Sequence, residues 1–230
     1  RRRRAADPHR GDPAARGRRV RAALRAAGVS KRFGGRTVLD GFALTVERGE
    51  FVALTGPSGS GKSTALNIVG LIATPTRGRV EIDGKAVTPR NTVDGVRAGI
   101  GLVPEDRKAQ GTVLSMPIRI NSTMARLSDV TNWLGGLRLA RERQTVSQLM
   151  QNLRIKARDM DADVSTLSGG NQQKVVLAKW FHAKGKVIVL DEPTRGVDVG
   201  AKAEIHRLIT RLAGDGVAVL MISSELPEVL

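Results

Sequence analysis

The chain has 230 residues and a formal net charge of +16, with 38 Lys and Arg against 22 Asp and Glu. That length can bury a real core, as one large domain or two small ones. It contains no Cys, which excludes disulfides and thiolate metal sites. No stretch comes near the roughly 18 apolar residues that suggest a membrane span.

The positive charge is unevenly spread. Residues 1–28 hold ten Arg and two Asp, half of the net charge. The segment opens Arg1-Arg2-Arg3-Arg4, carries Pro8, Pro13 and many Ala, and has no apolar run of the kind a secretory signal needs. It does not begin with Met, as a fragment or a processed product would not. Residues 1–27 read as a basic, disordered extension. Tyr is absent and Phe scarce, so a base-stacking surface is missing and no nucleic-acid partner is expected.

Ala22 to Val29 enters the first predicted strand, and Phe33-Gly34-Gly35 is a turn. Val38 to Val46 alternates apolar and polar over its second half, as a half-buried strand does. Arg48-Gly49-Glu50 turns into the short apolar run Phe51 to Thr55, read as a buried strand. Next comes Gly56-Pro57-Ser58-Gly59-Ser60-Gly61-Lys62-Ser63-Thr64, which fits G-x-x-x-x-G-K-[ST]. Ala65 to Gly70 reads as the first turns of a helix. A bare match to this pattern also describes a flexible Gly/Ser turn; the flanking strand and helix select the phosphate reading. The glycines let several backbone N–H groups point at one anion, and the helix start adds its partial positive charge. Lys62 can reach outer phosphates and Ser63 can give a hydroxyl to Mg²⁺.

Thr74 to Gly78 is a loop, and Val80 to Lys85 is a strand closed by the Asp83-Gly84 turn. Ile100 to Val103 is another strand, ending at Pro104-Glu105-Asp106-Arg107. Residues 117–165 change character. Leu127, Leu134, Leu137, Leu139, Leu149, Met150 and Leu153 recur among Arg, Glu and Gln, and Arg141 to Leu153 suits an amphipathic helix. This stretch reads as a mainly helical insertion. Leu167-Ser168-Gly169-Gly170-Asn171-Gln172-Gln173 then precedes the apolar-rich helix Val175 to Phe181. By itself the segment is a helix cap, with Ser168 or Asn171 satisfying free N–H groups. Set beside a P-loop, it is a second phosphate-cradling helix end. Lys186 to Asp191 is a continuous apolar run ending in acid, Ala201 to Leu212 is helical, and Val217 to Ile222 is a second apolar run. Such runs suit parallel strands covered on both faces. The first delivers Asp191 and Glu192 at a carboxyl end, where ligands collect in open parallel sheets. Asp191 suits Mg²⁺, and Glu192 suits aligning and polarising an attacking water.

Leu-Ser-Gly-Gly-Asn-Gln-Gln followed by Leu-Asp-Glu-Pro-Thr resembles the ATPase subunit of an ABC transporter, over roughly residues 28–230. The resemblance implies an α/β fold: a P-loop ABC ATPase with a mixed sheet core, an antiparallel β subdomain and a helical subdomain at about 117–165. It implies two ATPase halves paired head to tail, each ATP held with Mg²⁺ between one P-loop and the other copy's Leu-Ser-Gly-Gly. Phe33 then stacks on adenine, Gly56 to Thr64 cradle phosphates, and Ser63 and Asp191 serve the metal. Lys62 and Glu192 are the catalytic pair. Ser168, Gly169, Gly170, Asn171 and Gln172 face the partner's ATP, and Asp198 lies in the loop linking the two sites. A soluble P-loop kinase would not need Leu-Ser-Gly-Gly. The resemblance implies membrane permease subunits and a solute-binding protein as partners, with the chain peripheral to the cytoplasmic face of the bacterial inner membrane.

The second half narrows the resemblance. Leu102 to Lys108, Asn171 to Val175, Pro193 to Lys202 and Ser223 to Leu230 are similar to the C-terminal ATPase half of bacterial ribose- and galactose-type sugar importers. There the P-loop is often degenerate; here it is intact, and it resembles ATPases of the lipoprotein-release or macrolide-export kind. Export is therefore the alternative to sugar import. Where most of the family has a glutamine stands Glu105, and where most have a histidine stands Ser224. Both match sugar-importer C-terminal halves, and both imply an ATPase half of low turnover. The chain ends at Leu230, before the family's usual last strands.

Overall fold

The computed structural model describes residues 22–57 and 59–223. Residues 1–21 of the Arg-rich segment read as disordered, and Ser58 and Ser224 among the site residues, lie outside the described residues; residues 22–27, placed in that disordered extension, instead begin the first strand, where they pair with neighbours on both sides.

Two four-stranded sheets carry the fold, so the mixture of parallel and antiparallel pairing implied by the resemblance is divided between them. The first is antiparallel, in the order β2 (Arg36–Glu47), β1 (Ala22–Phe33), β4 (Arg77–Ile82), β5 (Lys85–Val87). The second is parallel, in the order β3 (Phe51–Leu54), β8 (Ala218–Ile222), β7 (Val187–Asp191), β6 (Ile100–Val103). The continuous apolar runs of β7 and β8 are explained by their cover. Side chains alternate between faces along a strand. Val187, Val189, Ala218 and Leu220 therefore join a core with β1, β2 and the helix α1 (Lys62–Val69). Ile188, Leu190, Val219 and Met221 join the opposite core with α5 (Gly169–Ala183) and α6 (Val199–Gly214). Both faces are dry, so both must be apolar.

Between β6 and α5 lies the insertion. It contains α3 (Ile118–Thr123), a 3₁₀ segment, α4 (Leu139–Asn152) and a further short 3₁₀ turn. Its own core gathers Ile118, Leu153, Ile155 and Val164 against Val175 and Ala178 of α5. Not every recurring leucine reaches that core. Leu127, Leu134, Leu137 and Leu139 are exposed. Asn132 accepts from the backbone of Leu134 and Gly136 and builds a turn there instead of a helix. The remaining short helix, α2 (Thr92–Ala98), is capped by the Asn91 side chain accepting from the Asp94 N–H. No helix among the described residues is long and apolar enough to cross a membrane.

Candidate functional site

Because β3 and β7 are parallel and separated by β8 alone, their carboxyl ends open on the same sheet edge. The P-loop leaves β3 there, and Asp191 with Glu192 leaves β7. Gly61 caps α1 at φ 90° and has no side chain to occupy the first-turn N–H groups, which stay open to an anion. A Cβ at Gly61 would sit 3.0 Å from both the Leu39 side chain and the Val38 carbonyl, so β2 closes the loop from below. The Lys62 ammonium donates to the carbonyls of Gly56 (2.7 Å) and Pro57 (2.8 Å). These two bonds fold the side chain back over the loop that it would serve.

Asp191 is half-buried, and its carboxyl is pushed above the ordinary range. Burial is the main cause, the neighbouring Glu192 charge adds to it, and the Lys62 cation opposes it. Lys62 and Glu192 thus both act electrostatically on Asp191 across the strand ends. Glu192 has φ 45°, the left-handed region that side chains rarely adopt. Its backbone N–H donates to the Ile222 carbonyl at 3.0 Å, which fixes this turn to β8. Strain of this kind, held by neighbouring structure, collects at functional sites.

A second group forms around the start of α5. The Ser168 hydroxyl accepts from the Asn171 side chain at 3.0 Å and lies 3.5 Å from its backbone N–H. Gly170 has no room for a Cβ, which would stand 2.6 Å from the Ala201 Cβ. This packs the α5 start onto the α6 start, where Asp198 caps the helix by accepting from the Ala201 N–H at 2.9 Å. Ser168, Gly170, Asn171 and Asp198 line a cavity of about 340 Å³ together with Lys156 and Lys174. Among the described residues, none of the P-loop lines it. Gln172 departs from its expected place: it is buried, and its amide donates to the carbonyls of Val164 (3.4 Å) and Leu167 (3.2 Å). Its work is to shape the loop from within.

Phe33 ends β1, half-exposed, with the Lys31 ammonium 5.1 Å from its ring centre. Glu105, beyond β6, makes an ion pair with Arg195 in the loop after β7. From the same post-β6 segment the Arg107 guanidinium donates to the carbonyls of Arg195 (2.9 Å) and Gly196 (3.2 Å). Sequence reasoning gives Arg107 no role. Its acceptors are main-chain carbonyls 88 and 89 positions away, and no residue type announces them.

The donor set fits a phosphate-bound cation. No group of three or more His, Cys, Asp or Glu able to hold a metal occurs among the described residues. Mg²⁺ needs fewer when phosphates and water complete its octahedron. A cation beside Asp191 would also relieve the carboxylate repulsion that Glu192 imposes on it.

Comparison with known proteins agrees with this geometry. The family model described as "ABC transporter" matches residues 39–195. The chain is 56% identical over 200 residues to "Ribose import ATP-binding protein RbsA 3" of Rhizobium meliloti (strain 1021), covering 87% of this chain and 40% of that protein. It is 50% identical over 194 residues to the "Putative ribose/galactose/methyl galactoside import ATP-binding protein 1" of the same strain, covering 84% and 38%. The chain therefore spans about 40% of the length of these relatives. Among solved structures, the ATP-binding cassette MJ0796, in a dimeric post-hydrolysis state bound to ADP and Pi, superposes with a TM-score of 0.76 at 25% identity over 89% of each chain. A nucleotide-free ATP-binding cassette from an ABC transporter superposes with 0.74 at 25% identity, covering 90% of this chain and 83% of that one. Fold, site edge and family match agree: the chain belongs to the ABC transporter family, as an ATP-binding domain.

Proposed function

We propose that this chain binds and hydrolyses ATP to drive solute import through a membrane permease, with a ribose- or galactose-type sugar as the solute. One observation carries the ATPase reading: Lys62, Asp191 and Glu192 meet at one edge of the parallel sheet, beside the open N-terminus of α1. The sugar reading is supported by the import proteins that the chain is similar to. A permease, a second ATPase half and a solute-binding protein are the partners this reading requires, at the cytoplasmic face of the membrane.

In the mechanism, backbone N–H groups of Gly59 to Ser63 receive the phosphates, and Lys62 exchanges its two loop carbonyls for outer phosphate oxygens. The ammonium is thus positioned before the ligand arrives, and little ordering remains to be done. Ser63 and Asp191 would hold Mg²⁺, which neutralises charge on the phosphates. Glu192 orients the attacking water and accepts its proton. Positioned groups of this kind typically contribute about 10²–10⁴ in rate. Phe33 offers its ring to adenine, and Ser168 with Gly169 and Gly170 offers a second cradle to the ATP of the facing copy.

The test is Lys62→Ala. Titration of a fluorescent ATP analogue with Mg²⁺ should show at least a tenfold weaker affinity than the wild type, because one charge-assisted contact to phosphate is lost. Equal affinities would sink the assignment. A wild type that binds tightly yet releases phosphate slowly favours the reading as a half of low turnover, to which Glu105 points: its carboxylate is engaged with Arg195.

A further inference from the structure

We infer that Arg107 is a positioning residue that locks three segments together: the loop after β6, the loop running from Glu192 to Asp198, and the start of α5. The carboxylate that serves one nucleotide and the serine–glycine end that serves the other then move as one unit. This inference rests on the ATPase reading above.

The lock is reciprocal. Glu105 holds the side chain of Arg195, while Arg107 holds the carbonyls of Arg195 and Gly196. Acid and base from one loop thus grip the side chain and the main chain of the other. On the third side, a Cβ placed on Gly169 would stand 2.7 Å from the Arg107 Nη2, so the guanidinium fills the space a side chain would take. The main chain at Arg107 is itself pinned. The Asp106 side chain accepts from the N–H groups of Lys108 (2.9 Å) and Ala109 (3.0 Å), and the Thr112 N–H donates to the Arg107 carbonyl at 2.9 Å. These bonds close a π-helical turn over Arg107–Gly111, a form that recurs at functional sites.

The loop that Arg107 grips has its ends tied by other bonds. The Glu192 N–H is bound to Ile222, and Asp198 caps α6. Within the loop the Arg195 N–H donates to the Glu192 carbonyl at 3.0 Å and the Val197 N–H to the Thr194 carbonyl at 3.2 Å. Arg107 joins Glu105 in tying this turn to the segment after β6, so its loss loosens the turn from that segment and leaves the sheet and helices intact. Its Nε is buried and finds no acceptor among the described residues. Lysine cannot replace it, since one ammonium lacks the planar fork that spans two adjacent carbonyls.

The experiment uses the full chain with Arg107→Gln and Arg107→Lys. A misplacement of about 1 Å can cost on the order of 10²-fold in rate. Both variants should therefore lose about tenfold to a hundredfold in kcat for phosphate release, with Kd for the fluorescent ATP analogue within about twofold of wild type. Hydrogen exchange at the amides of 194–198 should quicken in both, while β7 and β8 stay protected. A uniform rise in exchange would mean a general structural role and overturn the inference. So would a kcat within twofold of wild type, or rescue by Lys. If Gln does not fold, Lys keeps the charge and much of the length, and decides alone. If the wild type binds no MgATP, the functional reading fails; unchanged exchange at 194–198 in the variants would then separately overturn this one.

Discussion

At Asp191 burial and a neighbouring carboxylate act in the same direction, and each discourages ionisation. The folded chain therefore holds this proton to a higher pH than the unfolded chain does. Between the ordinary and the raised value the folded state binds more protons, so stability falls as pH rises through that window and the penalty is complete above it. Asp191→Asn removes the penalty. Its melting temperature at neutral pH should exceed that of wild type by about 2–4 °C, the response to a small gain in a chain of this length. Its stability should also lose the downward slope across that acidic window. The same substitution should abolish the component of ATP affinity that depends on Mg²⁺. A stabilised variant that has lost metal-dependent binding marks a residue kept for chemistry at a cost in stability. If calorimetry finds Asp191→Asn less stable than wild type, the carboxylate is serving the fold.

At the scale of elements, β1 and β4 show how two glycines of similar φ differ in what they tolerate. Gly78, at φ 83°, lies where β4 crosses the kink of β1 between Ala27 and Ser30. A Cβ there would stand 2.3 Å from the Gly28 carbonyl oxygen and 2.6 Å from that of Ala27. Gly28, at φ 58°, finds no atom within 4 Å of its Cβ position among the described residues. Gly28→Ala should cost only the left-handed backbone penalty, about 1–2 kcal/mol. Gly78→Ala must push β1 and β4 apart and should cost more than about 4 kcal/mol, in the range of exceptional mutations. Urea unfolding of both variants measures the difference, and equal losses would contradict the crossing. Such a clash is invisible in the sequence, where Gly78 reads as one more loop residue. Other features are legible. Ile100–Val103 is bounded in the fold as in the sequence, because a short apolar run between Gly99 and Pro104 has only one way to be buried. The first strand runs on to Phe33, past the Val29 at which its sequence pattern stops, since Lys31 and Arg32 break the apolar pattern while still pairing with β2. Residues 92–98 give no periodic signal because α2 buries little more than Gly95; the Asn91 cap is the available clue. In the site, the P-loop and Asp191 are local patterns and can be read, whereas the grip of Arg107 on a loop 88 positions away cannot.

At the scale of the molecule, the proposed function gives the chain two anion cradles, the N-terminus of α1 and the N-terminus of α5, and the cavity beside the second takes no described residue of the P-loop. In a head-to-tail pair each cradle meets the opposite kind on the other copy, so two nucleotides become the glue of the dimer. The prediction turns on Ser168. Ser168→Arg places a bulky cation in the facing phosphate site and should stop ATP-driven dimerisation, but it also removes a helix cap worth about 1 kcal/mol. Ser168→Asp separates the two effects. Aspartate caps as well as serine does and suits the positive end of the helix, so stability should hold, while its charge repels the facing phosphates. Both variants should therefore remain monomeric in sedimentation with MgATP, in a Glu192→Gln background that slows hydrolysis. Both should bind the fluorescent ATP analogue at the P-loop with affinity close to that of Glu192→Gln alone. Dimers that persist in Ser168→Asp would show that this serine does not face a partner's phosphates, and head-to-tail pairing would fall with them. If Glu192→Gln alone stays monomeric at saturating MgATP, the second half is not another copy of this chain. Mixing it with a separate ATPase half would then be the arrangement in which Ser168 must act.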